Sequence, residues 1–195
     1  MKIKICGLFN PADIEAVNEA LPDYIGFVFT ESRRQISFEI AREFKKHLDK
    51  RINATGVFVN AQISDIARLY EQNIINTAQL HGAETESYIA ELKNACKIPV
   101  IKAGNFNNKF PENADYLLFD NGIGGTGKAF DWGLIPKVDN PFFLAGGINL
   151  NNIAEAMKQG AYCIDLSGGA EDSATGMKNR EKIIRLVKTV REFKE

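Results

Sequence analysis

The sequence predicts an α/β protein, a single (β/α)8 barrel spanning residues 1–195. Three observations carry this. Eight short β-rich runs alternate with amphipathic helical runs almost to the end of the chain. Several of those runs, such as Gly56-Val57-Phe58-Val59, are continuous apolar stretches, the sign of strands covered on both faces. No composition break, linker, repeat or low-complexity tract divides the chain. An open doubly wound sheet also accommodates the alternation, but such sheets of this length usually hold about five or six strands, so eight favours closure. The length of 195 residues lies just under the usual lower bound of about 200 for a barrel, which calls for trimmed helices.

The strands are expected at Lys2–Cys6, Tyr24–Phe29, Ile52–Val59, Thr77–Leu80, Ile98–Lys102, Tyr116–Phe119, Phe142–Ala145 and Tyr162–Leu166. The first helix carries Ile14, Val17 and Leu21 behind Asn10-Pro11, an N-cap followed by a proline at the first helical position. Ala41, Phe44 and Leu48 follow Ser37, and Ile63, Ile66, Ala67 and Tyr70 follow Asn60. Ile153, Ala156 and Met157 run toward Gly160, a C-terminal glycine signal. Ile183, Leu186, Val187, Val190 and Phe193 form the last helix. The helical pattern fails after the fifth strand, where 104–113 is polar and short, and is weak after the sixth.

Composition narrows the function classes. The chain has 24 Lys+Arg against 25 Asp+Glu, a net charge of -1, which gives no long-range attraction to nucleic acid or anionic lipid. With 45% hydrophobic and 25% charged residues it is ordinary for a globular protein and able to bury a core unaided. No apolar run approaches a membrane span, and no signal-peptide core follows the N-terminus, so a cytoplasmic protein is expected. Cys6, Cys96 and Cys163 have no metal-type spacing and read as free thiols, the last two in the core. The balanced surface favours a monomer, with a homodimer as the alternative.

Barrel chemistry sits at the C-terminal ends of the strands. Lys4 and Cys6 share one face of the first strand, with Ile3 and Ile5 on the other. A lysine among isoleucines in a doubly covered strand needs a polar cavity to reach. Asp120 stands directly behind Leu117-Leu118-Phe119, His81 ends Gln79-Leu80-His81, Lys102 closes the fifth strand, and Asp165 and Ser167 close the eighth. Each alone reads as a loop residue or cap; together they mark one end of the barrel. Gly146-Gly147 and Gly168-Gly169 follow the last two strands, where backbone N–H groups can approach a phosphate. Ser167 could add a hydroxyl, and a short helix near 168–172 its N-terminus. Gly122, Gly124, Gly125 and Gly127 read as a cover beside Asp120.

Taken in order, several segments resemble the phosphoribosylanthranilate isomerase family. They are Lys4-Ile5-Cys6-Gly7, Gly26-Phe27-Val28-Phe29, Ser32-Arg33-Arg34-Gln35-Ile36-Ser37, Gly56-Val57-Phe58-Val59-Asn60 and Gln79-Leu80-His81-Gly82. The Asp120 segment through Gly124-Gly125-Thr126-Gly127 to Trp132, then Leu144-Ala145-Gly146-Gly147-Ile148, Asp165-Leu166-Ser167 and Gly176-Met177-Lys178 complete the series. The resemblance implies a compact eight-fold barrel and an Amadori rearrangement in tryptophan biosynthesis, converting N-(5'-phosphoribosyl)anthranilate to 1-(2-carboxyphenylamino)-1-deoxyribulose 5-phosphate.

By that resemblance Asp120 is the general acid and Cys6 the general base. Arg34 holds the anthranilate carboxylate, and His81 and Asp165 match positions near the substrate, His81 reading equally as a structural hydrogen-bonder at a strand end. Lys4 is read as a further substrate-binding residue, and Gly146, Gly147, Ser167 and Gly168 as phosphate-binding. No metal or organic cofactor is implied. Desolvation should raise the Asp120 carboxyl and a charged Lys4 should lower the Cys6 thiol. Arg33 reads as a solvated loop residue and Trp132 as a packing anchor. Three departures from the family pattern stand out: a shorter segment between Asp120 and Gly124-Gly125, Gly168 in place of a second serine, and Asn179 in place of an aspartate after Gly-x-Lys. Two competing readings are a related isomerase acting on a two-phosphate substrate and a phosphometabolite-binding protein without turnover. One evident anion site disfavours the first, and the presence of Cys6 and Asp120 the second.

Overall fold

The computed structural model describes residues 1–105, 109–120 and 131–193, in which eight parallel strands close into a barrel in sequence order. The strands are β1 (Lys2–Cys6), β2 (Tyr24–Val28), β3 (Asn53–Phe58), β4 (Thr77–Leu80), β5 (Val100–Gly104), β6 (Tyr116–Phe119), β7 (Phe142–Leu144) and β8 (Cys163–Leu166). Closure is made by β1 against β8, with Lys4 opposite Asp165 and Ile3 opposite Ile164, which excludes the open sheet. The fifth strand starts two residues later than expected, because Pro99 has no N–H to offer a ladder.

The helices are α1 (Pro11–Ala20), α2 (Phe38–His47), α3 (Ile63–Glu71), α4 (Glu86–Cys96), α5 (Ile153–Met157) and α6 (Arg180–Glu192). Asn10 caps α1 in a capping box: its side chain accepts from Ala12 N while the Asp13 carboxylate accepts from Asn10 N. Ser37 caps α2 and Asn179 caps α6, so the amide oxygen at 179 still serves the helix start where an aspartate was expected. Asn60 is not the cap of α3. Its side chain accepts from Ala83 N at 2.9 Å instead, tying the β3 loop to the β4 loop. The α4 helix, capped by Thr85 and burying Ile89 and Leu92, was not marked in the sequence pattern. Among the described residues no helix links β5 to β6, and only a 3-10 turn, Trp132–Leu134, precedes β7.

Two cores result from the strand period of two. Outward-facing Ile3, Ile5, Ile25, Phe27 and Ile164 pack under the helices. Inside the barrel, Ile101, Ala103, Leu118, Phe143, Ala145 and Cys163 pack with Tyr24, Tyr116 and Tyr162. The tyrosines enter at the N-terminal ends of their strands. Tyr24 and Tyr116 meet the Phe143 ring edge-on at 5.4 and 5.6 Å, closing the bottom of the barrel. No helix is long and apolar enough to cross a membrane among the described residues.

Candidate active site

Register across the β1–β8 seam places Lys4 beside Asp165. The Lys4 Nζ donates to Asp165 Oδ2 at 2.7 Å and, across the barrel, to Gln79 Oε1 at 2.8 Å. Lys4 is 0% exposed and does not reach the cavity wall, so it is not positioned to touch a substrate directly. Burial works against its ammonium, but the Asp165 and Cys6 charges outweigh that and raise its pKa. The second Asp165 oxygen, Oδ1, is buried without a hydrogen-bond partner.

Gln79 extends this chain. With its oxygen committed to Lys4, its Nε2 faces His81 Nδ1 at 3.4 Å. An amide nitrogen donates only, so Nδ1 is the acceptor and the imidazole proton resides on Nε2. That nitrogen lies 3.9 Å from Asp120 Oδ2. Burial lowers the His81 pKa against the opposing pull of Asp120, so the ring is neutral at pH 7. Asp165, Lys4, Gln79, His81 and Asp120 thus form one polar series across the upper barrel.

Above it opens a cavity of about 1140 Å³ walled by Cys6, His81, Asp120 and Asp165, with Arg34, Gly146, Gly147, Ser167 and Gly168 on the same wall. It lies at the C-terminal ends of the strands. Of the ten residues singled out from the sequence, every one but Lys4 lines it. The thiol expectation is corrected. Burial raises the Cys6 pKa, and the pull of Lys4 is insufficient because that ammonium is already held by Asp165.

After the seventh strand, Gly146 and Gly147 take successive left-handed conformations, φ 87° and 66°, open to glycine at little cost. Asn149 and Asn152 side chains both donate to the Gly147 carbonyl and brace that turn. The expected short helix is a single 3-10 turn, Gly168–Ala170. Ser167 Oγ donates to the Cys6 carbonyl at 3.1 Å, so its proton is engaged by the protein.

Arg34 does not stand alone. Its Nε and Nη2 donate to the two carboxylate oxygens of Glu171 at 2.6 and 3.1 Å. Lys178 Nζ donates to Glu171 Oε1 at 2.9 Å and to the Ser167 carbonyl at 3.0 Å. Arg33 donates to Glu171 as well, and to the Gly176 carbonyl at 2.8 Å. Arg33 is exposed in its loop as expected, with its side chain 51% accessible, and is in addition doubly anchored. Glu171 was missed in the sequence, where a lone acid in a loop gives no signal. Gln79 was visible at a strand end, and Lys178 only as part of a motif.

Lys102, the other strand-end cation, is buried and donates to the Gly82 carbonyl at 2.7 Å and to Glu84 at 3.2 Å, clamping the β4 loop. Cys163 is buried as expected, whereas Cys96 is only partly buried at the end of α4. Trp132 packs against the outer core. The Gly122, Gly124, Gly125 and Gly127 cover lies outside the described residues. No cluster of three or more metal-ligating side chains occurs among the described residues.

Comparison with known proteins places this geometry. A family model described as N-(5'phosphoribosyl)anthranilate (PRA) isomerase matches residues 3–189. The N-(5'-phosphoribosyl)anthranilate isomerase of Endomicrobium trichonymphae is 48% identical over 198 residues, covering 97% of this chain and 98% of that protein. Among solved structures, the phosphoribosyl anthranilate isomerase of Thermus thermophilus superposes with a TM-score of 0.87 at 30% identity, over 100% of both chains. Monomers generated from the dimeric isomerase of Thermotoga maritima give 0.83 at 30% identity, covering 99% of this chain and 100% of that one. A phosphoribosyl anthranilate isomerase in complex with reduced 1-(O-carboxyphenylamino)-1-deoxyribulose 5-phosphate gives 0.80 at 26% identity, with the same coverage.

Proposed function

The chain belongs to the N-(5'-phosphoribosyl)anthranilate isomerase family, and on that premise we propose that Asp120 is its general acid and Cys6 its general base. The reaction is the conversion of N-(5'-phosphoribosyl)anthranilate to 1-(2-carboxyphenylamino)-1-deoxyribulose 5-phosphate in tryptophan biosynthesis. The observation that supports the assignment is the shared cavity: Cys6 and Asp120 line one space whose wall also carries Arg34 and two glycine turns.

Asp120 gives its proton to the furanose ring oxygen, and the ring opens to a Schiff base. The Cys6 thiolate then removes the proton from C2′, leaving an enolamine that tautomerises to the ketone. Proton transfers complete the rearrangement, so no cofactor is invoked. His81, neutral and protonated on Nε2, faces the Asp120 carboxyl group, with that nitrogen 3.9 Å from Asp120 Oδ2. Asp165 is the substrate contact at the β8 end, and Lys4 acts behind it by holding the carboxylate in place. Gly146, Gly147 and Gly168 receive the phosphate with their N–H groups, with Ser167 at the same turn. Arg34 receives the anthranilate carboxylate, a task suited to a planar fork. The enzyme acts as one domain in the cytoplasm, as a monomer.

Turnover of N-(5'-phosphoribosyl)anthranilate by purified protein tests the reading. Asp120→Asn and Cys6→Ala should each fold normally, retain product binding and lose at least about 10²-fold in kcat. A near-normal rate in either variant removes that residue from its role. Binding of substrate by the unaltered protein without conversion would favour the binding-protein reading.

A further inference from the structure

We infer that Glu171 is a positioning residue for substrate selection: it holds one edge of the Arg34 guanidinium so that the opposite edge meets the carboxylate on the substrate's aromatic ring. The inference rests on the reading of Arg34 given above. A guanidinium has five N–H donors in one plane and two forks, one formed by Nε with Nη2 and one by Nη2 with Nη1. Glu171 occupies the first fork with both of its oxygens. Nη1 donates to no described residue, and Arg34 lines the cavity with its side chain 12% exposed. The second fork is therefore available to one planar, two-oxygen acceptor, the geometry of a carboxylate.

Glu171 is itself held from three sides. Its side chain is 5% exposed, and Lys178, 1% exposed, and Arg33 fix it from outside the Arg34 fork. Its backbone N–H donates to the Gly168 carbonyl at 3.0 Å, placing it directly after the 3-10 turn of the phosphate end. Gly7, at φ +76°, completes the seat: a Cβ there would stand 2.4 Å from Arg34 Cδ. One carboxylate among three cations stays ionised, with its pKa lowered to about 2: burial opposes ionisation, and Arg34 and Lys178 outweigh it. Three cations around one carboxylate leave the cluster itself with a surplus of positive charge, of which Arg34 is turned to the cavity.

The test compares N-(5'-phosphoribosyl)anthranilate with N-(5'-phosphoribosyl)aniline, which lacks the carboxylate. Glu171→Gln should raise KM for the first about 10- to 100-fold with kcat nearly unchanged, and leave KM for the second within about twofold. In an Arg34→Ala background the same substitution should add nothing. The ratio of kcat/KM for the two substrates does not depend on the fraction of enzyme folded, so a poorly folding variant still gives an answer. Equal losses on both substrates, or a full additional loss in the Arg34→Ala background, would overturn the positioning role. If Arg34→Ala raises KM for the anthranilate substrate and Glu171→Gln does not, the inference fails alone. If Arg34→Ala leaves that KM unchanged, the carboxylate reading of Arg34 fails, and this inference with it.

Discussion

Asp165→Asn preserves the shape of a side chain that lines the cavity and removes the charge opposite Lys4. In the folded protein Lys4 is 0% exposed and its ammonium has one ionic partner, Asp165 Oδ2 at 2.7 Å, and one neutral one, Gln79 Oε1 at 2.8 Å. An amide at 165 can still offer its oxygen to Lys4 and place its nitrogen where Oδ1 now lies buried without a partner. The cost is then that of an uncompensated buried cation, about 3–5 kcal/mol, or about 6–20 °C in Tm for a chain of this size. The pH dependence has a definite sign. The raised pKa of Lys4 means its pairing stabilises the fold below the unfolded value of about 10.4 and is lost as pH rises through the folded value. In the variant only Cys6 still opposes burial, the lysine falls below its paired value, and the variant recovers stability as Lys4 loses its proton. Thermal unfolding followed by circular dichroism should show a large gap between the two proteins at pH 7 that narrows toward pH 10. Combining Lys4→Met with Asp165→Asn should cost far less than the two separately. A loss under about 1 kcal/mol at pH 7, or a gap indifferent to pH, would refute the buried-pair account.

Three further outcomes are expected. Because burial raises the Cys6 thiol and carboxyl groups titrate below thiols, kcat/KM should stay flat across neutral pH and fall only above about 9. A descending limb already present between pH 7 and 8 would exclude Cys6 as the base. Gly168→Ser should lower KM or the inhibition constant for phosphate esters about 2- to 10-fold, since a Cβ at 168 meets nothing within 4 Å and adds one donor. An unchanged constant would show that the missing hydroxyl is immaterial. The lowered pKa of Glu171 stabilises the fold above its unfolded value of about 4.3 and loses that contribution as pH falls toward about 2. Acid unfolding should therefore begin at higher pH than for Glu171→Gln relative to each protein's own neutral stability, and superimposable acid limbs would contradict it.

The barrel and most of its site were legible because both rest on short-range periodicity. Alternation within β1 separated Lys4 and Cys6 from Ile3 and Ile5, and the polar residues at strand ends all lie at one rim. What the pattern withheld is pairing across the barrel. The sequence places Lys4 two residues from Cys6 and so suggests a depressed thiol. It does not reveal that Asp165, 161 positions away, already holds the ammonium. Glu171 is similar: one acid in a loop gains meaning only when the β2 loop brings Arg34 to it from a distance of 137 positions. The α4 helix buries only Ile89 and Leu92 within its span, a stripe too narrow to announce itself.

A raised thiol is compatible with catalysis, and sharpens what the enzyme must do. On the proposed roles the competent form has Asp120 protonated and Cys6 ionised, and the other form with the same number of protons has the reverse arrangement. Both carry one proton between them, so their ratio does not change with pH between the two pKa values. A thiolate held in a buried site is a stronger base toward a carbon acid than one stabilised by a free cation. Lys4, committed to Asp165 and Gln79, lends Cys6 only part of its field and leaves that basicity intact. The same ion pair that costs the fold a buried charge thereby keeps the thiolate reactive. Replacing Lys4 by a neutral side chain should move the alkaline limb of kcat/KM upward, whereas freeing Lys4 by Asp165→Asn should move it downward.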